Sequence, residues 1–74
     1  MRTYSIVVDP DSESGFTVTV PSLPGCITQG ETLEECVANA QEAIALYIED
    51  LVASGEPVPE ETAHPQVLQV TVAA

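Results

Sequence analysis

Apolar and polar positions alternate, break and then change period along this chain, and those changes mark its elements. Residues 3–8 read as a strand, with Tyr4, Ile6 and Val8 on one face. The polar run DPDSESG at residues 9–15 ends it as a turn. Phe16, Val18 and Val20 then alternate with Thr17 and Thr19, the period of a half-buried strand. The two strands predict an antiparallel hairpin. Pro21 and Pro24 interrupt the ladder because neither donates a backbone N–H. Gly25 permits a turn, and residues 26–30 resume as a short third strand.

From residue 32 the period lengthens. Thr32 and Glu35 have the spacing of a capping box, in which the Thr32 hydroxyl accepts from the Glu35 N–H and the Glu35 carboxylate returns to the Thr32 N–H. Glu34 and Glu35 also face the positive end of the helix dipole. Leu33, Val37, Ala40, Ile44, Tyr47 or Ile48, and Leu51 recur every three or four residues, predicting one apolar stripe facing a sheet. Gly55, Pro57 and Pro59 stop the helix. After an acidic, proline-rich connection, Leu68, Val70 and Val72 alternate with Gln69 and Thr71, predicting a fourth strand over residues 66–72.

The expected architecture is therefore α+β. It is a β-β-β-α-β two-layer sandwich over residues 1–74, with one long helix on one face of an antiparallel sheet. Ser5, Val7, Thr17 and Thr19 fall on the other face, a mixed surface open to a partner. A chain of 74 residues buries only about 60% of its unfolded surface, and two cysteines supply no disulfide framework, so self-association is expected.

Charge narrows the partners. Twelve acids against the single basic residue Arg2 give a net charge of −11. Nucleic-acid and anionic-membrane affinity both draw on Lys and Arg, so neither is expected of this chain. A basic protein fits, because opposite fields steer association. Glu35, Glu42 and Glu49 recur every seven residues and form an acidic ridge, with Asp50 beside it. Their spacing of about 10.5 Å is close to one Debye length, so the ridge carries little self-repulsion.

Catalytic chemistry finds little support. Asp9, Asp11 and Glu13 alternate as in a calcium loop, but Pro10, Ser14 and Val20 stand at positions that oppose one. No third acid joins Asp9 and Asp11 for a two-metal site. His64 has no Ser or Cys near it in sequence, and Cys26 and Cys36 read as buried thiols of a reducing cytoplasm. No enzyme, metal or cofactor is expected, and no signal or membrane-spanning segment is visible.

Two runs then carry a resemblance. The corner Val20, Pro21, Leu23, Pro24, Gly25, Cys26 and the helix start Thr28, Gly30, Thr32, Glu34, Glu35, followed by Ala40, Ala43, Tyr47 and Gly55, resemble the HicB family of bacterial antitoxins. The resemblance implies a partial RNase H-like fold without its catalytic acids, assembled as dimers or tetramers. It implies a small basic HicA-like toxin as partner, an mRNA-cleaving protein whose catalytic histidine is covered. The chain ends at Ala74, before any DNA-binding extension of the kind many members carry, so operon autorepression is not expected of it.

The sequence thus predicts a cytoplasmic antitoxin module, with a solitary homo-oligomeric structural or small-ligand-binding domain as the alternative. Val20, Pro21, Pro24, Gly25, Thr32 and Glu35 are read as structural. Asp9, Asp11, Glu42, Glu49 and Asp50 are the expected partner contacts.

Overall fold

A computed structural model describes residues 1–73. Three strands, β1 (Val7–Pro10), β2 (Phe16–Thr19) and β3 (Ile27–Gly30), form an antiparallel sheet in the order β1-β2-β3. A single helix, α1 (Leu33–Ala53), covers one face. Val8 pairs with Val18 and Val18 with Thr28, so the alternation in β2 is what chooses the buried face. Val18 is fully buried against Cys36 and Ala40, with Ile6, Val8 and Phe16 packed around them.

The proline corner builds the other half of the core. Val20 N–H donates to Cys26 O, Leu23 N–H to Val20 O and Cys26 N–H to Leu23 O, at 3.0–3.1 Å. This closed loop drives Leu23 inward until it is fully buried, the largest side chain among those so enclosed. Tyr4, Ile6, Ala43, Ile44 and Tyr47 surround it, and the Tyr47 hydroxyl donates to Pro24 O at 2.7 Å.

Both helix ends follow local chemistry. Thr32 has extended backbone, and its side chain accepts from Glu35 N–H at 3.1 Å. The reciprocal bond departs from expectation: the Glu35 carboxylate accepts from Glu31 N–H, one residue before the cap. At the other end Gly55 N–H donates to Val52 O and Glu56 N–H to Leu51 O, a Schellman closure that places Gly55 at φ +71°. The first turn of α1 lies so close to β3 that a Cβ on Gly30 would meet Cys36 N at 2.8 Å.

Two further sequence expectations are corrected. The helix is buried through Cys36 and Ala40, while Leu33 and Val37 are exposed, because α1 lies mainly over β3 and β2. Val37 is left on the flank that faces Tyr4 and Ile6. The segment 66–72 forms no ladder with the sheet, although the α+β arrangement of three strands and a helix stands. Its apolar side chains Val67, Leu68, Val70 and Val72 are between 75% and 85% exposed.

Candidate functional site

The acids expected to meet a partner divide between two layers. Asp9 lies in β1 opposite Thr17, on the open face of the sheet. Asp11 sits in the hairpin turn, its carboxylate accepting from Glu13 N–H at 3.0 Å. Glu42, Glu49 and Asp50 are exposed on α1, in the other layer.

A hollow of about 340 Å³ at the start of α1 gathers Asp11 with three acids not counted among the expected contacts, Glu13, Glu31 and Glu35. Asn39 closes its floor by donating to Gln29 O at 2.7 Å. Asn39 also lines the next depression, shared with Glu42 and Leu46. Glu35 therefore joins the hairpin acids to the helix ridge, and the acidic track runs from Asp11 through Glu35 and Glu42 toward Glu49. Asp9 stands apart from it. Sequence spacing revealed the ridge; the union with the turn depends on the sheet bringing residues 11 and 35 to one end.

The residues of the corner lie as follows. Val20 is buried, Pro24 supplies the carbonyl that holds Tyr47, Gly25 adopts φ +83°, and Pro21 is exposed at the corner.

A second polar cluster had no signature in the sequence. The Glu61 side chain is only 1% exposed, although it lies in the connection after the helix. Ser5 N–H donates to it at 3.0 and 3.1 Å, the Ser5 hydroxyl at 2.7 Å and the Ser22 hydroxyl at 2.8 Å. Its pKa falls to about 2, lowered by the Ser5 hydroxyl and then by His64, against the opposing effect of burial. His64 is thereby held at Glu61 through Nδ1, and Ser5 Oγ lies 3.4 Å from the same nitrogen.

The cluster has the residue types of a hydrolytic triad but a different geometry. A triad sets hydroxyl and acid on opposite ring nitrogens. Here both converge on Nδ1, and Ser5 already gives its proton to Glu61. The arrangement is a clasp that fastens the segment after the helix to the N-terminal one. Tyr4 reinforces it through Pro59 O, and Arg2 through Glu60 at 3.7 Å.

Between the free flank of α1 and the N-terminal segment lies a groove of about 590 Å³, lined chiefly by Tyr4, Ile6, Val37, Ile44, Ala45 and Ile48. Among the described residues no group of three or more His, Cys, Asp or Glu could hold a metal ion. Cys26 and Cys36 are buried free thiols in separate halves of the core, and burial raises the Cys26 pKa. No helix among the described residues is long and apolar enough to cross a membrane.

Comparison with known proteins agrees with this architecture. Residues 4–71 match the family model described as HicB_like antitoxin of bacterial toxin-antitoxin system. A UPF0150 protein of Thermoplasma acidophilum is 42% identical over 60 residues, covering 81% of this chain and 87% of that one. Antitoxin HicB 1 of Photorhabdus laumondii is 32% identical over 56 residues, 76% of this chain and 36% of its own length. The crystal structure of the N-terminal domain of the Burkholderia pseudomallei antitoxin HicB superposes with a TM-score of 0.66 at 38% identity. That match covers 82% of this chain and 69% of the other.

Proposed function

The chain belongs to the HicB-like antitoxin family, and from that premise we propose that it binds a small basic toxin and inhibits it by occlusion. The observation that carries the reading is the acidic track, on a chain of net charge −11 with one basic residue. A basic partner approaching this end is steered by the summed field before any contact forms. Asp11, Glu35, Glu42 and Glu49 then pair with its cations, and the bulk of the domain blocks access to its RNA-cleaving groups. Asp50 borders the track; Asp9, paired opposite Thr17 on the open face of the sheet, is the weakest member of the set.

This role is non-enzymatic and stoichiometric, and it belongs in the cytoplasm with the toxin's mRNA substrate. Direct nucleic-acid binding is no part of it, since Arg2 is the chain's one Lys or Arg and is paired with Glu60. Self-association into a dimer or tetramer accompanies it. The solitary self-associating domain stays as a second reading, favoured by the exposed apolar segment 66–72.

Capture of a small basic protein in fixed ratio from the native lysate, followed by an mRNA-cleavage assay, tests the proposal. Reversing the ridge with Glu42→Lys and Glu49→Lys should slow toxin association roughly tenfold at low salt and flatten its salt dependence. An unchanged rate and slope would remove the track from the interface. Recovery of the homo-oligomer alone would favour the solitary domain.

A further inference from the structure

The chain contains a groove and a strand that each need the other, yet they are apart. The groove is bounded by the N-terminal segment from Arg2 to Ile6, which leads into the edge strand β1, and by the flank of α1 that carries Val37, Ile44 and Ile48. A fourth strand beyond β1 would fill this space. The segment built to be that strand, residues 66–72, projects away with its apolar side chains in water.

The projection is visible in the dimensions. The radius of gyration is 14.4 Å, whereas about 11 Å is usual for a chain of this length. Its long axis is 50 Å against 27 and 19 Å for the others. Such an alternating, uncharged extended segment is a pairing hazard unless something covers it.

We propose that the cover is a second copy of this chain. Residues 66–72 of each protomer lie in the other's groove, their Leu68, Val70 and Val72 face against Ile6, Val37, Ile44 and Ile48, in a reciprocal strand exchange. This deepens the self-associating part of the function proposed above and is independent of toxin binding.

Three observations select this occupant. The first is charge. Every surface of a chain at −11 repels a like copy, and segment 62–74 carries no Asp, Glu, Lys or Arg, so it can approach without that penalty. The second is length. The groove follows α1 from Val37 to Ile48, about 16 Å, and seven extended residues span about 23 Å, enough to line it. The third is the hinge. Glu61 is fastened to Ser5 and Ser22, His64 is held at Glu61, and Pro65 directly follows His64, so the chain leaves the clasp in an extended conformation directed off its own body. Short, constrained hinges of this kind favour exchange between protomers over closure within one.

Light scattering across a concentration series should give twice the 7.8 kDa chain mass, or a multiple of it. Leu68→Asp with Val70→Asp should weaken association at least about 100-fold, with helical circular dichroism retained. Raising salt should tighten the homodimer while loosening toxin binding, because one interface joins like charges and the other opposite ones.

The decisive measurement is an isotope-filtered NOE experiment on a mixed sample of labelled and unlabelled chain. Contacts from the Leu68 and Val70 methyls to those of Ile44 and Ile48 should appear between protomers. The same contacts within one protomer would overturn strand exchange while leaving a dimer possible by another face. A monomer at every concentration would overturn both it and self-association, and toxin capture would be judged separately.

Discussion

Two stretches of this chain longer than ten residues carry no Asp, Glu, Lys or Arg, residues 14–30 and 62–74, and they meet opposite fates. Both contain the same alternation: Phe16, Val18, Val20 in one and Leu68, Val70, Val72 in the other. The first supplies the core, with Val18 and Leu23 fully buried. In the second, Val67, Leu68, Val70 and Val72 stand in solvent. Alternation thus specifies that a face needs covering, and the elements next in sequence decide whether cover is at hand. Residues 14–30 have a hairpin partner a few positions away and a helix directly after them. Residues 66–72 follow a helix and a clasped connection that together deliver them beyond the sheet.

The widest separation between the two stretches should appear on truncating one leucine in each. Leu23→Ala should lower unfolding stability by about 2–5 kcal/mol in urea titrations, since a fully enclosed side chain leaves a cavity. Leu68→Ala should change the stability of the dilute protein by less than about 0.5 kcal/mol. Equal losses at low concentration would mean that 66–72 packs on its own body.

A smaller effect follows from loosening what covers the first stretch. Thr32→Ala removes the acceptor for Glu35 N–H and should cost about 1 kcal/mol, read by thermal or urea unfolding. Amide exchange should rise mainly in the first turn of α1. No loss of stability would show that the Glu35–Glu31 contact holds the helix start without the cap.

The smallest effect concerns the point where the second stretch begins. Glu61 has its pKa lowered from 4.5 to about 2, so its folded-state value lies below its unfolded one. The clasp therefore contributes fully above pH 4.5 and loses that contribution as pH falls through about 2. The Ser5 amide resonance should move in this window, ahead of core resonances such as the Val18 methyls. Glu61→Gln should shift the same amide at neutral pH. A Ser5 amide indifferent to both would show that the carboxylate does not fasten the connection in solution.

What could be read from the sequence follows the range of each interaction. Strands two and three, the Val20–Cys26 corner, the Thr32 cap and the Gly55 stop are written in neighbouring residues, and each forms as expected. The buried line of the helix was displaced because its phase depends on where the sheet lies, and Cys36 displaced Leu33 and Val37. The Glu61 clasp was invisible because its partners Ser5 and Ser22 are 56 and 39 positions away. The fourth strand was legible as a strand and illegible as to partner, since pairing is a property of two segments. Of the expected contact acids, the helix ridge could be seen in a seven-residue spacing. Its approach to Asp11, Glu13 and Glu31, and the placing of Asp9 opposite Thr17, required the register of the hairpin.

The two tyrosine hydroxyls each donate to a proline carbonyl, Tyr47 at the corner and Tyr4 at the clasped connection. With no tryptophan in the chain, these two rings dominate its near-ultraviolet signal, Phe16 absorbing weakly and at shorter wavelength. The protein consequently carries its own pair of optical reporters, one on the permanent core and one on the fastening that releases the projecting strand. Replacing either with Phe leaves a single-probe spectrum, in which the behaviour of one end of the molecule is read without the other.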